Sequence, residues 1–388
     1  MHLTLTVKVD LERVDEMDLE QKLSEWFEWF HAHPELSYEE YETTAKIKEI
    51  LKDAGVEILP YSLETGLIAI VRGALEGPVQ ALRCDIDALP ILEESGLSYA
   101  SLYEGKMHAC GHDFHIVAGI GCALLLQSQK ESLKGAVKII FQPAEEASIG
   151  AYKILETDVM EDVDCIWGLH ADPTRDVGVM GIKEGFVTAA VDRFVITVTG
   201  VSCHGAHPDD GVDPIPAGAA MVQALQTIVT RNVNAFHPAL LSVTRFQAGN
   251  TWNVIPEKAE LEGTVRTLEK TDRVLFEKRI REIVSGIAQA YGVKAELTWM
   301  PGPPATYNDA EMVDKATEVA KECGLQPVVN ECSMGGDDFS FYEEKIPGCY
   351  IKVGTGKGQT IHQPGFAIDQ RALQKTAQYL KEVIVSNM

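Results

Sequence analysis

Nine residues, Met107 to His115, place one thiol and three imidazoles in a single stretch: His108, Cys110, His112 and His115. Thiolate sulfur and neutral imidazole nitrogen are favoured ligands of zinc and similar borderline divalent metals. Further along come Glu145-Glu146, His170 and His362, each after or near a short hydrophobic run. That pattern predicts ligands gathered from loops at strand ends. A two-metal hydrolase needs five or more ligands, a bridging group, open positions for water and a base. Cys110, His112, Glu146, His170 and His362 are the ligand candidates. A thiolate has spare lone pairs and can bridge two ions. Glu146 can bind metal while Glu145 takes a proton from a metal-bound water.

Each of these residues has a plainer reading. A lone buried Cys or His is ordinarily packing. No Cys-x-x-Cys occurs, so a structural zinc ribbon is not expected. Glu145-Glu146 alone reads as a solvated acidic pair at a helix start. Asp85-x-Asp87 reads as a strand-end turn, or as an acidic pair orienting a ligating imidazole, with Asp87 the candidate for that support. His31 and His33 read as a helix end. Nothing in the spacing of His204 and His207 makes them ligands, and Cys203 with His207 lacks completing ligands. A Cys110-His112 thiol hydrolase fails, because two residues on one short turn seldom form a nucleophile-base pair with an orienting third group. The company of the carboxylates and later histidines favours the metal reading.

The 388 residues suggest about two to three domains. A net charge of -24 argues against nucleic acid and anionic membranes as partners. The eight cysteines show no disulfide spacing and several sit in apolar runs, which predicts a reducing, cytoplasmic setting. Residues 1–10 lack a cationic start followed by a long apolar core, so no signal peptide is expected. No run reaches the roughly 18 apolar residues of a membrane span.

These residues need a scaffold that brings them together. The first half of the chain alternates helix and strand signals, with helices over 41–54 and 113–129 and strands over 67–71, 79–82, 137–141 and 165–169. The pattern predicts an α/β fold, a layered catalytic domain with a central mixed sheet flanked by helices. Sites in such sheets form beyond the carboxyl ends of strands. The rhythm then changes to β-α-β-β-α-β, the order of a ferredoxin-like α+β unit. The expected organisation is a discontinuous catalytic domain, 1–186 and 300–388, with an inserted lid and dimerisation domain, 187–299.

A set of short motifs carries a family resemblance. They are His33-Pro34-Glu35-Leu36-Ser37, Arg83-Cys84-Asp85-Ile86-Asp87-Ala88-Leu89-Pro90 and Met107-His108-Ala109-Cys110-Gly111-His112-Asp113. Phe141-Gln142-Pro143-Ala144-Glu145-Glu146, Gly168-Leu169-His170 and Trp252-Asn253-Val254-Ile255-Pro256 follow. Gly263-Thr264-Val265-Arg266, Met334-Gly335-Gly336-Asp337-Asp338-Phe339 and Ile361-His362-Gln363-Pro364 complete the series. In this order the chain resembles the M20 metallopeptidase family, in particular its amidohydrolase branch of N-acyl-amino-acid, hippurate and auxin-conjugate hydrolases.

The resemblance implies hydrolysis of the amide of an N-acyl-L-amino acid, with Glu145 as general base. It implies two divalent ions per subunit, Mn²⁺ or Zn²⁺, with Co²⁺ or Ni²⁺ as substitutes. Cys110 bridges, His112 and His170 serve one ion, and Glu146 and His362 the other. A homodimer through the lid brings His204 to the partner's site, where it steadies the oxyanion. Asn253 and Arg266 are candidates for gripping the substrate's carboxylate. A dipeptidase or carboxypeptidase uses the same machinery, and a non-catalytic metal or amino-acid binding protein is the remaining rival. Two motifs depart from the family pattern. His204-Gly205-Ala206-His207-Pro208-Asp209 stands where relatives read His-Ala-Ala-x-Pro-His, and Gly336-Asp337-Asp338 replaces Ser-Glu-Asp or Gly-Glu-Asp.

Overall fold

The computed structural model describes residues 16–388, so the first ten residues, where no signal peptide is expected, lie outside it. The described chain forms two compact units. The large one takes the chain up to Val187, then Tyr307–Glu331 and Asp338–Met388; the small one is Thr188–Thr306 with Cys332–Asp337. The small unit is longer than the expected 187–299, because its last strand, Lys294–Pro301, runs past that limit and residues 332–337 join from a later loop.

The large unit is built on a mixed eight-stranded sheet. Its order is Glu57–Ile58, Leu67–Arg72, Lys134–Gln142, Leu75–Asp85, Cys165–Asp172, Gly348–Gly354, Val179–Ile182 and Gln326–Val329. Four neighbours, Lys134–Gln142, Leu75–Asp85, Cys165–Asp172 and Gly348–Gly354, run parallel. Their carboxyl ends therefore share one edge of the sheet. From Gln80 onward Leu75–Asp85 is buried throughout, as a parallel strand covered on both faces must be. On one face Leu82, Cys84, Phe141 and Trp167 pack with helices Glu16–Ala32, His112–Ser128 and Arg371–Ser386. On the other, Ala81, Ile140, Ile166 and Tyr350 pack with Ile154, Phe339 and Tyr342. Gly119 lets helix His112–Ser128 approach the sheet, since a Cβ there would lie 2.5 Å from Cys84 Sγ.

After the small unit the chain adds the edge strand Gln326–Val329 and a single helical turn, Ser340–Glu343. Among the described residues, no helix is long and apolar enough to cross a membrane.

The small unit has the β-α-β-β-α-β order. Four antiparallel strands lie in the order Ala239–Ala248, Lys258–Thr267, Ala190–Thr199, Lys294–Pro301. Burial alternates along Ala190–Thr199, so Phe194, Ile196 and Val198 face the core. There they meet Leu225 and Ile228 of helix Pro214–Arg231 and Phe276 and Ile280 of helix Lys270–Tyr291. Asp213 caps the first of these helices by accepting the Ile215 N–H, with Pro214 at its first position.

Candidate metal centre

The carboxyl edge of the parallel strands is where the ligand candidates meet. His170 lies near the end of strand Cys165–Asp172. Glu145 and Glu146 follow strand Lys134–Gln142, and His362 lies on the loop after Gly348–Gly354. Cys110 comes from a different kind of position, the residue before the left-handed Gly111 that opens helix His112–Ser128. Gly111 has φ 86°, and a Cβ there would lie 2.9 Å from Ala171 Cβ, so the turn that presents Cys110 and His112 needs glycine.

Cys110 Sγ is 3.4 Å from His170 Nε2 and 3.3 Å from His362 Nε2. His362 Nε2 is 3.5 Å from Glu146 Oε1. His112 Nε2 is 3.9 Å from Glu145 Oε2 and 4.0 Å from Glu146 Oε1. Of five such triads with ligand atoms within 4.8 Å of one another among the described residues, two contain Cys110: Cys110-His112-His170 and Cys110-Glu146-His362. Cys110 belongs to both, the position a bridging thiolate requires. His112 Nε2 and Glu146 Oε1 are buried without a hydrogen-bond partner. Buried polar atoms are ordinarily satisfied. Cations at these two convergence points would satisfy both, so the residues present fit two divalent ions.

Neighbouring groups fix the orientation of each ring. His112 Nδ1 donates to the Asp87 carbonyl at 2.8 Å and faces Asp87 Oδ1 at 3.2 Å, which leaves Nε2 with its lone pair toward the site. Asp87 also accepts Ser37 Oγ at 2.7 Å and the Glu146 N–H at 3.0 Å. His170 Nδ1 donates to the Ala171 carbonyl at 2.7 Å. His362, at φ 64°, is held by its N–H on the Ala109 carbonyl at 2.7 Å.

The surroundings act in opposite directions on the two buried histidines. Burial by itself lowers the His112 pKa, but Asp85 and Cys110 outweigh it and raise it well above the ordinary range, so a bound cation would take the place of the proton on Nε2. Burial, then Lys352 and His115, hold His170 far down, in the neutral form that ligates. Burial pushes the Cys110 thiol up; a bound cation would reverse that, since a coordinating thiol is deprotonated.

Sequence reading gave no role to several residues here. His115 lies three positions after His112, on the same face of one helix. It pairs with Asp85 through Nδ1 and accepts the Ala171 N–H on Nε2 at 2.9 Å, so its tautomer is fixed. Arg83 is fully buried and bridges Asp85 and Asp338, both at 2.6 Å. Asp338 and Glu40 hold the Glu145 loop from distant parts of the chain. The i, i+3 spacing marks His115, Arg83 and Asp338 stand inside quoted motifs, and no local signal marks Glu40. His31, read as a helix end, is buried between Asp113 at 2.6 Å and Glu93 at 3.1 Å. Burial alone would lower its pKa, yet those two carboxylates raise it to about 9.

The remaining candidates lie in the small unit. His204 is exposed on the short strand Cys203–His204, paired with Val254–Ile255. Its Nδ1 accepts the Ala206 N–H at 3.0 Å, so the proton sits on Nε2 as a donor. Asn253 is beside it, its carbonyl accepting the Gly205 N–H at 2.8 Å. Arg266 is elsewhere. It pairs in register with Val191, at the opposite end of the sheet from Thr199 and Lys258, where the His204 and Asn253 segments attach. Eight residues of strand separate Arg266 from Lys258, about 25 Å. The structure thus does not bring Asn253 and Arg266 together within one chain.

With this geometry in place, the comparisons are direct. The model of peptidase family M20/M25/M40 matches residues 81–386, and the chain belongs to that family. It is a metal-dependent hydrolase of amide bonds. An N-acetylcysteine deacetylase of Bacillus subtilis (strain 168) is 46% identical over 92% of this chain and 94% of its own length. Thermostable carboxypeptidase 1 of Saccharolobus solfataricus is 35% identical over 89% of this chain and 90% of its own. A crystal structure of Bacillus subtilis YxeP, described as a dinuclear metal-binding peptidase of the M20 family, matches with TM-score 0.86 and 42% identity. It covers 96% of this chain and 100% of that one.

Proposed function

We propose that this chain hydrolyses the amide of N-acyl-L-amino acids, releasing a carboxylate and the free amino acid. The observation that carries the reading is Glu145, held 3.9 Å from His112 Nε2 beside the two Cys110-centred triads. Holding a metal does not require this second carboxylate, which disfavours a mere binding protein. The similarity to an N-acetylcysteine deacetylase supports an N-acetyl amino acid as substrate, with N-acetyl-L-cysteine the first to try.

In this reading His112 and His170 would hold one ion and Glu146 and His362 the other, and Cys110 would be shared between them. The mixed sulfur, nitrogen and oxygen set suits Mn²⁺ or Zn²⁺, with Co²⁺ or Ni²⁺ as substitutes. When bound, such ions polarise a carbonyl and acidify water. Glu145 takes a proton from the attacking water as its oxygen bonds to the amide carbon. It then gives that proton to the departing nitrogen as the carbon–nitrogen bond breaks. His204, supplied by a second copy through the small unit as lid and dimerisation domain, donates from Nε2 to the developing oxyanion. Asn253 and Arg266, too far apart in one copy to share a carboxylate, would grip the substrate from different copies.

A carboxypeptidase remains the rival, favoured by the 35% identity to a thermostable carboxypeptidase. The test is a panel of N-acetyl, N-benzoyl and dipeptide substrates on chelator-treated, then metal-reconstituted enzyme. The expected result is loss of activity on chelation and its return with metal, greatest on N-acyl amino acids. Turnover by protein that elemental analysis shows to be metal-free contradicts the reading, and a dipeptide preference selects the rival.

A further inference from the structure

The loop that carries Glu145 and Glu146 is bent in a way its sequence does not favour. Ala144 has φ 56° and Ser148 φ 58°, and neither is glycine. Non-glycine residues persist in this left-handed region where their surroundings hold them there. Several bonds do so. Gln142 Nε2, just before the loop, donates to Asp338 at 2.9 Å, and the Ala151 N–H, just after it, donates to Asp338 at 2.8 Å. The Glu146 N–H donates to Asp87 at 3.0 Å. Ala144, next to Glu145, donates its N–H to Glu40 Oε1 at 2.8 Å.

Glu40 is a costly residue to place there. It is 0% exposed. It precedes helix Tyr41–Asp53, but its side chain makes no capping bond to that helix. Its second oxygen, Oε2, is buried without a hydrogen-bond partner. Burial, opposed in part by hydrogen bonds, raises its pKa to about 7. A carboxyl group buried this way is unfavourable unless something uses it. The uses visible in the structure are an interaction with the Thr65 side chain, which helps hold the pKa down, and the Ala144 N–H, 104 residues away.

We propose that Glu40 is a positioning residue for the general base: by accepting the Ala144 N–H it holds that residue in its left-handed conformation and so aims Glu145. This rests on the reading of Glu145 as base. Glu40 touches no reacting atom. What it supplies is an oxygen at the right reach, not a charge.

Reach and charge can be separated by substitution. Glu40→Gln keeps the reach and an acceptor oxygen but loses the charge. Glu40→Asp keeps the charge but withdraws the oxygen by one methylene. Misplacing a catalytic group by about 1 Å can cost on the order of 10²-fold. In the metal-loaded enzyme, Glu40→Gln should hold kcat within about threefold of wild type. Glu40→Asp should lose roughly 10- to 100-fold in kcat, with KM and metal content unchanged. Wild-type kcat in Glu40→Asp, equal impairment of both variants, or metal loss tracking the rate overturns the proposal. Glu145→Gln is the separate control: if it keeps full activity, the reading of the base fails whatever Glu40 does.

Discussion

Arg83 and Arg245 each bridge two carboxylates, yet Arg83 is 0% exposed in the large unit and Arg245 42% exposed in the small one. Arg83 binds Asp85 and Asp338, and through them reaches His115 and the Glu145 loop. Arg245 meets Glu260 and Glu262 on the open face of a small sheet. The functional candidates divide the same way. Cys110, His112 and His170 are buried and oriented by neighbours, whereas His204 is exposed on a two-residue strand and Trp252 beside Asn253 is 93% exposed. Buried groups can be held in one geometry in a low-dielectric setting, so they suit ions and proton transfer. Exposed groups on loops suit contact with something that arrives, a substrate or another copy.

The comparison can be broken at the two arginines. Removing one partner of a buried pair strands the other charges and typically costs 3–5 kcal/mol. Arg83→Met should therefore lose about that much stability. Arg245→Ala should lose far less, because water screens an exposed pair. Chemical denaturation of the metal-loaded proteins gives both values. Similar losses would show that burial does not separate the two networks.

His204 sharpens the contrast from the side of function. Exposed, with its side chain accepting the Ala206 N–H of its own turn, it should tolerate His204→Ala without loss of stability. Turnover should nonetheless fall about 10²- to 10³-fold, the usual cost of one oxyanion donor. If it acts in a neighbour's site, mixing His204→Ala with Glu145→Gln subunits should restore part of the activity. One site of the mixed dimer then has both residues intact. No recovery after demonstrated subunit exchange would place His204 outside the chemistry of a partner.

The sequence made the ligand candidates legible because each is a reactive residue type in a short motif. It made the two sheets legible because the long strands and helices have clear periodicity. It did not show what holds these candidates still. Asp338 meets Arg83 and Ala151 across 255 and 187 residues, and Glu40 meets Ala144 across 104. Such pairings come from sheet order, which local pattern does not encode. The left-handed turns at Ala144 and His362 carry no glycine to announce them. Asn253 and Arg266 looked equivalent as motif residues, and antiparallel register puts them at opposite ends of a sheet.

The division of labour between Glu145 and Glu146 is the centre of this account, and one paired measurement addresses it. Turnover and metal content per chain are determined for Glu145→Gln and Glu146→Gln. The account predicts that Glu145→Gln keeps its metal and loses about 10²- to 10⁴-fold in rate, the usual range for a general base. It predicts that Glu146→Gln loses metal. If Glu145→Gln loses metal while Glu146→Gln retains it, the two roles are reversed and the account of this site is wrong.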